Sequence, residues 1–163
     1  MSTVGALGRA LLGVVALGVL ALPAADLRLG LPDGSSESPD STQYQAYTTV
    51  AEKFGPGVNG TLLVVADLPA PADDAEGAAA ELAVGRALFE LDDVVAVAPV
   101  GTSEDGTVAA FQVIPREGPS AESTEDLVTH LRDLGEVDGV PIAVAGQTSG
   151  AIDVSAKLAD ALP

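Results

Sequence analysis

The feature that most constrains this chain is an abrupt change of material between Ala25 and Asp26. From Val4 to Ala25 the only charged residue is Arg9, and from Ala10 to Ala25 no side chain is polar. As a helix, Val4–Ala25 would be roughly 33 Å long, enough to cross the hydrocarbon core of a bilayer. Gly13, Gly18 and Pro23 would weaken a soluble helix, but such residues are frequent in membrane spans. All 24 acidic residues lie after Ala25, against six basic ones: Arg28, Lys53, Arg86, Arg116, Arg132 and Lys157. With Arg9 before the apolar run, the positive-inside tendency keeps the N-terminus cytoplasmic and places residues 26–163 outside the cytoplasm. A cleaved secretory signal peptide, with Met1–Arg9 as its charged region and Ala10–Leu22 as its apolar region, is the competing reading. It puts Leu22 or Pro23 three residues before the cut, a poor match, and it exports the same acidic body.

Three segments follow: an anchor over residues 1–25, a linker or short strand over 26–40, and one α+β domain over 41–163. The acidic balance excludes nucleic acid as a partner. The chain has no cysteine, so an exported body is held by its core alone. Five aromatics (Tyr44, Tyr47, Phe54, Phe89 and Phe111) leave little for base stacking or an aromatic-lined pocket.

Along the domain, Leu27, Leu29 and Leu31 alternate as a short strand before a Pro32–Ser36 loop. Ser41 or Thr42 caps a helix whose apolar face is Tyr44, Tyr47, Val50, Ala51 and Phe54. Gly55-Pro56-Gly57 ends it, and Asn59-Gly60 turns the chain into a buried strand, Thr61–Ala66. Asp73, Asp74 and Glu76 precede a helix over Ala78–Leu91 with an apolar stripe of Leu82, Gly85, Leu88 and Phe89. Val94–Val100 and Thr107–Pro115 form a hairpin around Asp105-Gly106, the second strand covered on both faces. Ser123 caps a helix bearing Leu127, Val128, Leu131 and Leu134, which Gly135 and Gly139 stop. Val140–Ala145 is the last strand, and a final helix, Ser149–Leu162, follows. Strand, helix, strand, strand, helix, strand is the split βαβ, ferredoxin-like order, with both crossover helices on one face of a four-stranded antiparallel sheet. The two flanking helices bring the ends of the domain together, as suits a module set between spans.

Leu27-Arg-Leu-Gly-Leu-Pro-Asp33 after a span, Ala46-Tyr47, and Phe54-Gly-Pro-Gly-Val-Asn-Gly60 before Leu62-Leu-Val-Val65 resemble the second extracytoplasmic porter loop of MMPL-type transporters, in the resistance-nodulation-division (RND) superfamily. Thr124-Glu-Asp-Leu-Val128, and Gly146 through Ala151-Ile-Asp153 to Pro163, are similar in the same order. The resemblance covers nearly the whole chain, and Phe54–Gly60 is its most specific part. It implies a proton-driven exporter of lipids or other hydrophobic molecules, bound to the bilayer through residues 4–25. It also implies that the remaining spans and porter segments are partners, and that proton-relaying residues lie in spans this sequence does not contain. On that resemblance the chain is a truncated piece or one part of a split transporter, unable to pump alone. A stand-alone anchored or secreted binding or scaffold domain is the alternative.

No residue set points to catalysis, a cofactor or a metal, and the chain reads as a non-enzyme. His130, the single histidine, sits on a helix as a solvent-edge residue. The pairs Asp73-Asp74, Asp92-Asp93, Glu104-Asp105 and Glu125-Asp126 point about 100° apart on a helix and do not converge on an ion. Gly146-Gln-Thr-Ser-Gly150 is a turn and helix cap rather than an anion nest. Asp26 and Arg28 form an anchor pair at the membrane boundary.

Overall fold

The computed structural model describes residues 12–19 and 32–161. Residues 12–19 are helical, and among the described residues no helix is long and apolar enough to cross a membrane. The rest of the Val4–Ala25 run, the strand expected at Leu27–Leu31 and the Asp26–Arg28 pair lie outside the described residues.

The domain runs α1 (Thr42–Phe54), β1 (Leu62–Asp67), α2 (Ala75–Phe89), β2 (Val94–Thr102), β3 (Val108–Pro115), α3 (Glu122–Leu134), β4 (Glu136–Val137), β5 (Val140–Ala145) and α4 (Gln147–Ala161). Short 3₁₀ turns occupy Gly34–Ser36 and Pro56–Gly60. The strands form one antiparallel sheet in the order β2-β3-β1-β5-β4. Without the two-residue β4 this is the split βαβ order expected from sequence. β4 is an addition, a two-residue hairpin on β5 that needs positive φ at both Asp138 (51°) and Gly139 (81°).

One sheet face carries the core. Leu62, Val64 and Ala66 of β1 and Ala109, Phe111 and Val113 of β3 meet Val84 and Leu88 of α2 and Leu127, Val128 and Leu131 of α3. Alternation along β1 and β3 is what puts these residues on one side. On the other side Leu63 of β1 is exposed, and Val108, Ala110, Gln112 and Ile114 of β3 are half-buried rather than covered, because both crossover helices lie on the core side. The face of α1 is likewise only half-buried, and Phe54 is 73% exposed.

Two expectations about helices fail for local reasons. The N-cap of α3 is Ala121, with no side-chain cap, because Thr124 sends its hydroxyl to Gly118 O (3.0 Å) and Ser123 falls inside the helix. In α2 the buried side chains are Val84 and Leu88, while Leu82 and Phe89 are 55% and 57% exposed.

The connector between β3 and α3 ties the ends of the domain together. Gly57 and Gly60 lie so close to its backbone that an added Cβ would stand 1.6 Å from Pro115 O and 2.8 Å from Pro119 N. Asn59 Nδ2 donates to Tyr47 O (3.0 Å), locking the Phe54–Gly60 segment onto α1. The buried Thr148 at the start of α4 donates to Pro119 O at 2.7 Å.

Candidate functional site

The exposure of Leu82 and Phe89 defines the site. Because α2 is Ala- and Gly-rich, it is apolar on more than the side that faces the sheet. Val84 and Leu88 go down into the core, which leaves Ala78, Leu82, Gly85 and Phe89 along the flank that overlooks β2. Gly85 allows the helix to pass over Phe111, whose Cε1 would lie 3.3 Å from an added Cβ. In β2, Val97 pairs with Val113 and Pro99 with Phe111, so both project on the same side as those core residues. Helix flank and strand therefore enclose an open apolar cleft of about 480 Å³, floored by Phe111 and rimmed by Glu81, Arg86 and Glu90.

Glu90 is shared with a second cleft of about 500 Å³, where the end of α2 and the turn into β2 face α3. Its walls include Asp92, Asp93, Ser123, Asp126 and His130. Asp93 holds a left-handed backbone (φ 67°), and its carbonyl accepts from Arg116 N at 2.7 Å. One carboxylate oxygen of Asp93 lies 3.8 Å from Arg116 Nε. The other, Oδ2, is buried without a hydrogen-bond partner, as is Ser123 Oγ.

The groups singled out in the sequence fall elsewhere or into structural roles. His130 is exposed on the wall of the acidic cleft. Asp105 accepts from Ser103 Oγ and from the backbone N–H and hydroxyl of Thr107, which holds its carboxyl below the usual range and shapes the hairpin turn. In the 146–150 segment, Thr148 is bonded to Pro119 O, while Ser149 Oγ donates to Val144 O and accepts from Arg132 Nη2 at 2.7 Å. Those hydroxyls are committed to packing. Among the described residues no group of three or more His, Cys, Asp or Glu side chains is placed to hold a metal ion. The clefts bring together the apolar stripe of α2 and carboxylates that lie at separate helix ends in the sequence.

Fold and site together define an α+β module that offers an apolar trough and an open sheet face. Over 150 residues the chain is 36% identical to Membrane protein YdfJ of Bacillus subtilis (strain 168), a match covering 92% of this chain and 20% of that protein. The chain thus spans about a fifth of the length of this relative. Among solved structures it is similar to the mycobacterial membrane protein MmpL11D2, with a TM-score of 0.40 and 20% identity, over 52% of this chain and 99% of that one. No family model matches.

Proposed function

We propose that the chain is an extracytoplasmic porter-type domain of an MMPL-type, RND-superfamily transporter that exports lipids or other hydrophobic molecules by proton drive. In this reading its role is to contact apolar cargo and neighbouring porter segments, not to catalyse, and residues 4–25 hold it to the bilayer. The observation that carries the reading is the apolar cleft, with Leu82 and Phe89 turned out of the core. Single exposed apolar side chains are ordinary, but a contiguous apolar cleft with a charged rim is the kind of surface that marks a binding site. The similarity to a membrane protein over nearly the whole chain supports the setting, as does the order of the resembling segments.

Transport competence on this reading requires the spans and second porter domain of a full-length transporter. A stand-alone anchored binding domain is the second reading, favoured by the fact that one chain forms the whole cleft.

Absence of cysteine makes the topology directly testable. With Glu104→Cys, placed in the exposed β2–β3 turn, a membrane-impermeant maleimide should label the chain in intact cells. Labelling only after lysis would refute an extracytoplasmic domain. Exchanging the matching fifth of YdfJ for this chain then separates the two readings, since a porter domain should restore whatever YdfJ activity deletion of that fifth removes and a stand-alone binding domain should not.

A further inference from the structure

We propose that the α2–β2 cleft takes a cationic amphiphile, with its apolar tail along Leu82, Phe89, Val97 and Phe111 and its positive head at the Glu90 end. This rests on the reading of the cleft as a cargo-contacting surface and adds the chemical class of the cargo.

The shape supports a chain-like tail. Ala78, Leu82, Gly85 and Phe89 follow one another along one flank of α2, so the trough is roughly 16 Å long at about 1.5 Å per residue. Its floor and walls are apolar, and the volume of about 480 Å³ is within the range of small-molecule sites.

Charge selects the head. The rim carries two carboxylates, Glu81 and Glu90, against one cation, Arg86. Glu90 is shared with the acidic cleft, whose walls carry Asp92, Asp93 and Asp126 together with the exposed His130. Of these, Asp93 is held by Arg116, yet its second oxygen stays unpartnered. A carboxylate, sulfate or phosphate head would be driven against this excess of negative charge, inside a chain of net charge −17. A quaternary or protonated amine gains from the same field, and Phe89, an exposed aromatic next to Glu90 in the cleft lining, supplies a ring at that end.

Isothermal titration calorimetry on the full chain tests this with three twelve-carbon probes below their micelle-forming concentrations: dodecyltrimethylammonium, dodecyl sulfate and dodecyl maltoside. The ammonium probe should bind at one site at least about tenfold more tightly than the sulfate at low ionic strength, with the preference shrinking as salt screens it. Leu82→Ala with Phe89→Ala should weaken all probes by about tenfold or more. Glu90→Gln with Asp126→Asn should retain tail binding and bring the cation-to-anion ratio near one, while Arg86→Gln should raise it. Asp40→Asn with Glu52→Gln, on exposed surface at α1, should change nothing.

Equal affinities for ammonium and sulfate would overturn the charge selection and leave the cleft standing as a cargo surface. No binding of any probe would remove the cleft reading itself. If the remote pair matters as much as Glu90 and Asp126, the cation is condensing on an acidic surface and the proposal fails. Oligolysine bound as tightly as the ammonium probe would overturn it in favour of a basic peptide.

Discussion

Replacing Gly57 by Ala isolates how the Phe54–Gly60 segment holds the domain together. An added Cβ at Gly57 would stand 1.6 Å from Pro115 O and 2.6 Å from Pro115 C, whereas ordinary contact begins near 3.4 Å. The obstacle is backbone at the end of β3, which cannot rotate away as a side chain would, so either the 3₁₀ turn or the strand end must move. Overpacking of this kind costs about 1–3 kcal/mol, and immovable backbone puts Gly57→Ala near about 3. Gly150→Ala is the matched control: it is exposed in α4, meets nothing within 4 Å, and should gain about 0.5–1 kcal/mol from helix propensity and reduced unfolded-chain entropy. The difference between the two variants, about 4 kcal/mol, combines the clash at Gly57 with the helix-propensity gain at Gly150. Urea unfolding of the full chain in nonionic micelles, followed by far-ultraviolet circular dichroism, reads this as a shift in midpoint at constant slope. Against a typical domain stability of about 5–15 kcal/mol the shift is large. A Gly57→Ala protein within about 1 kcal/mol of the parent would refute the close approach of the two segments.

Thr148→Val keeps shape but leaves the buried Pro119 carbonyl without its 2.7 Å donor, and should cost about 1–3 kcal/mol by the same urea assay. Arg132→Ala removes the clamp on Asp153 (2.9 Å) and Ser149 across α3 and α4. Because Asp153 is largely exposed, the loss should be about 1 kcal/mol or less and smaller still in high salt, and Arg132→Lys should not fully restore it. For Asp33, burial pushes the carboxyl up, but hydrogen bonds from Ser35 and Tyr47 outweigh it and hold the group below 3.8. Its stabilising contribution is therefore complete above the unfolded value and is lost as pH falls through the lower folded one. Tyr47 is shifted the other way, above 10.0, by burial and then by the Asp33 charge, so its contribution is present below the unfolded value and lost as pH rises through the folded one. Amide exchange near Tyr47 should accelerate at both extremes, and Asp33→Asn should abolish the acid arm.

The sequence is most informative where one local rule dominates. Ser41 caps α1 by accepting from Tyr44 N (3.1 Å), and Asp105-Gly106 makes the hairpin, because each turn's geometry follows from its own side chain. The buried sets of β1 and β3 are not legible in this way, because Leu62–Ala66 and Val108–Ile114 are apolar at nearly every position and only the helices on one face decide which side is core. The stripe of α2 misleads because Ala, Gly, Val and Leu surround most of the helix, and periodicity alone does not choose which apolar flank meets the sheet. Only the sheet order settles it, by placing β2 beyond β3, next to Leu82 and Phe89. In the sequence Gly139 reads only as a helix stop, because strands of two residues carry no alternation to announce the Asp138-Gly139 hairpin. The acidic cleft was equally hidden, since Glu90 and Asp126 are distant in sequence and meet only across the helix pair.

The Phe54–Gly60 segment, the most specific part of the resemblance, packs the domain together. Its glycines admit the connector backbone, its asparagine fixes α1, and the same connector receives Thr148 from α4 and Thr124 from α3. Arg116, the connector's first residue, donates from its backbone to Asp93, at the acidic end of the cleft. Entry helix, exit helix and cleft end are thus joined through one short segment by backbone contacts and short hydrogen bonds rather than by exposed ion pairs. A displacement of α4 against α1 must first break the Thr148 bond or open the glycine contacts, each costing more than a surface salt bridge. The two ends of the module are therefore held to one another. At the cleft, α2 crosses Phe111 at Gly85, where it has no side chain to interlock.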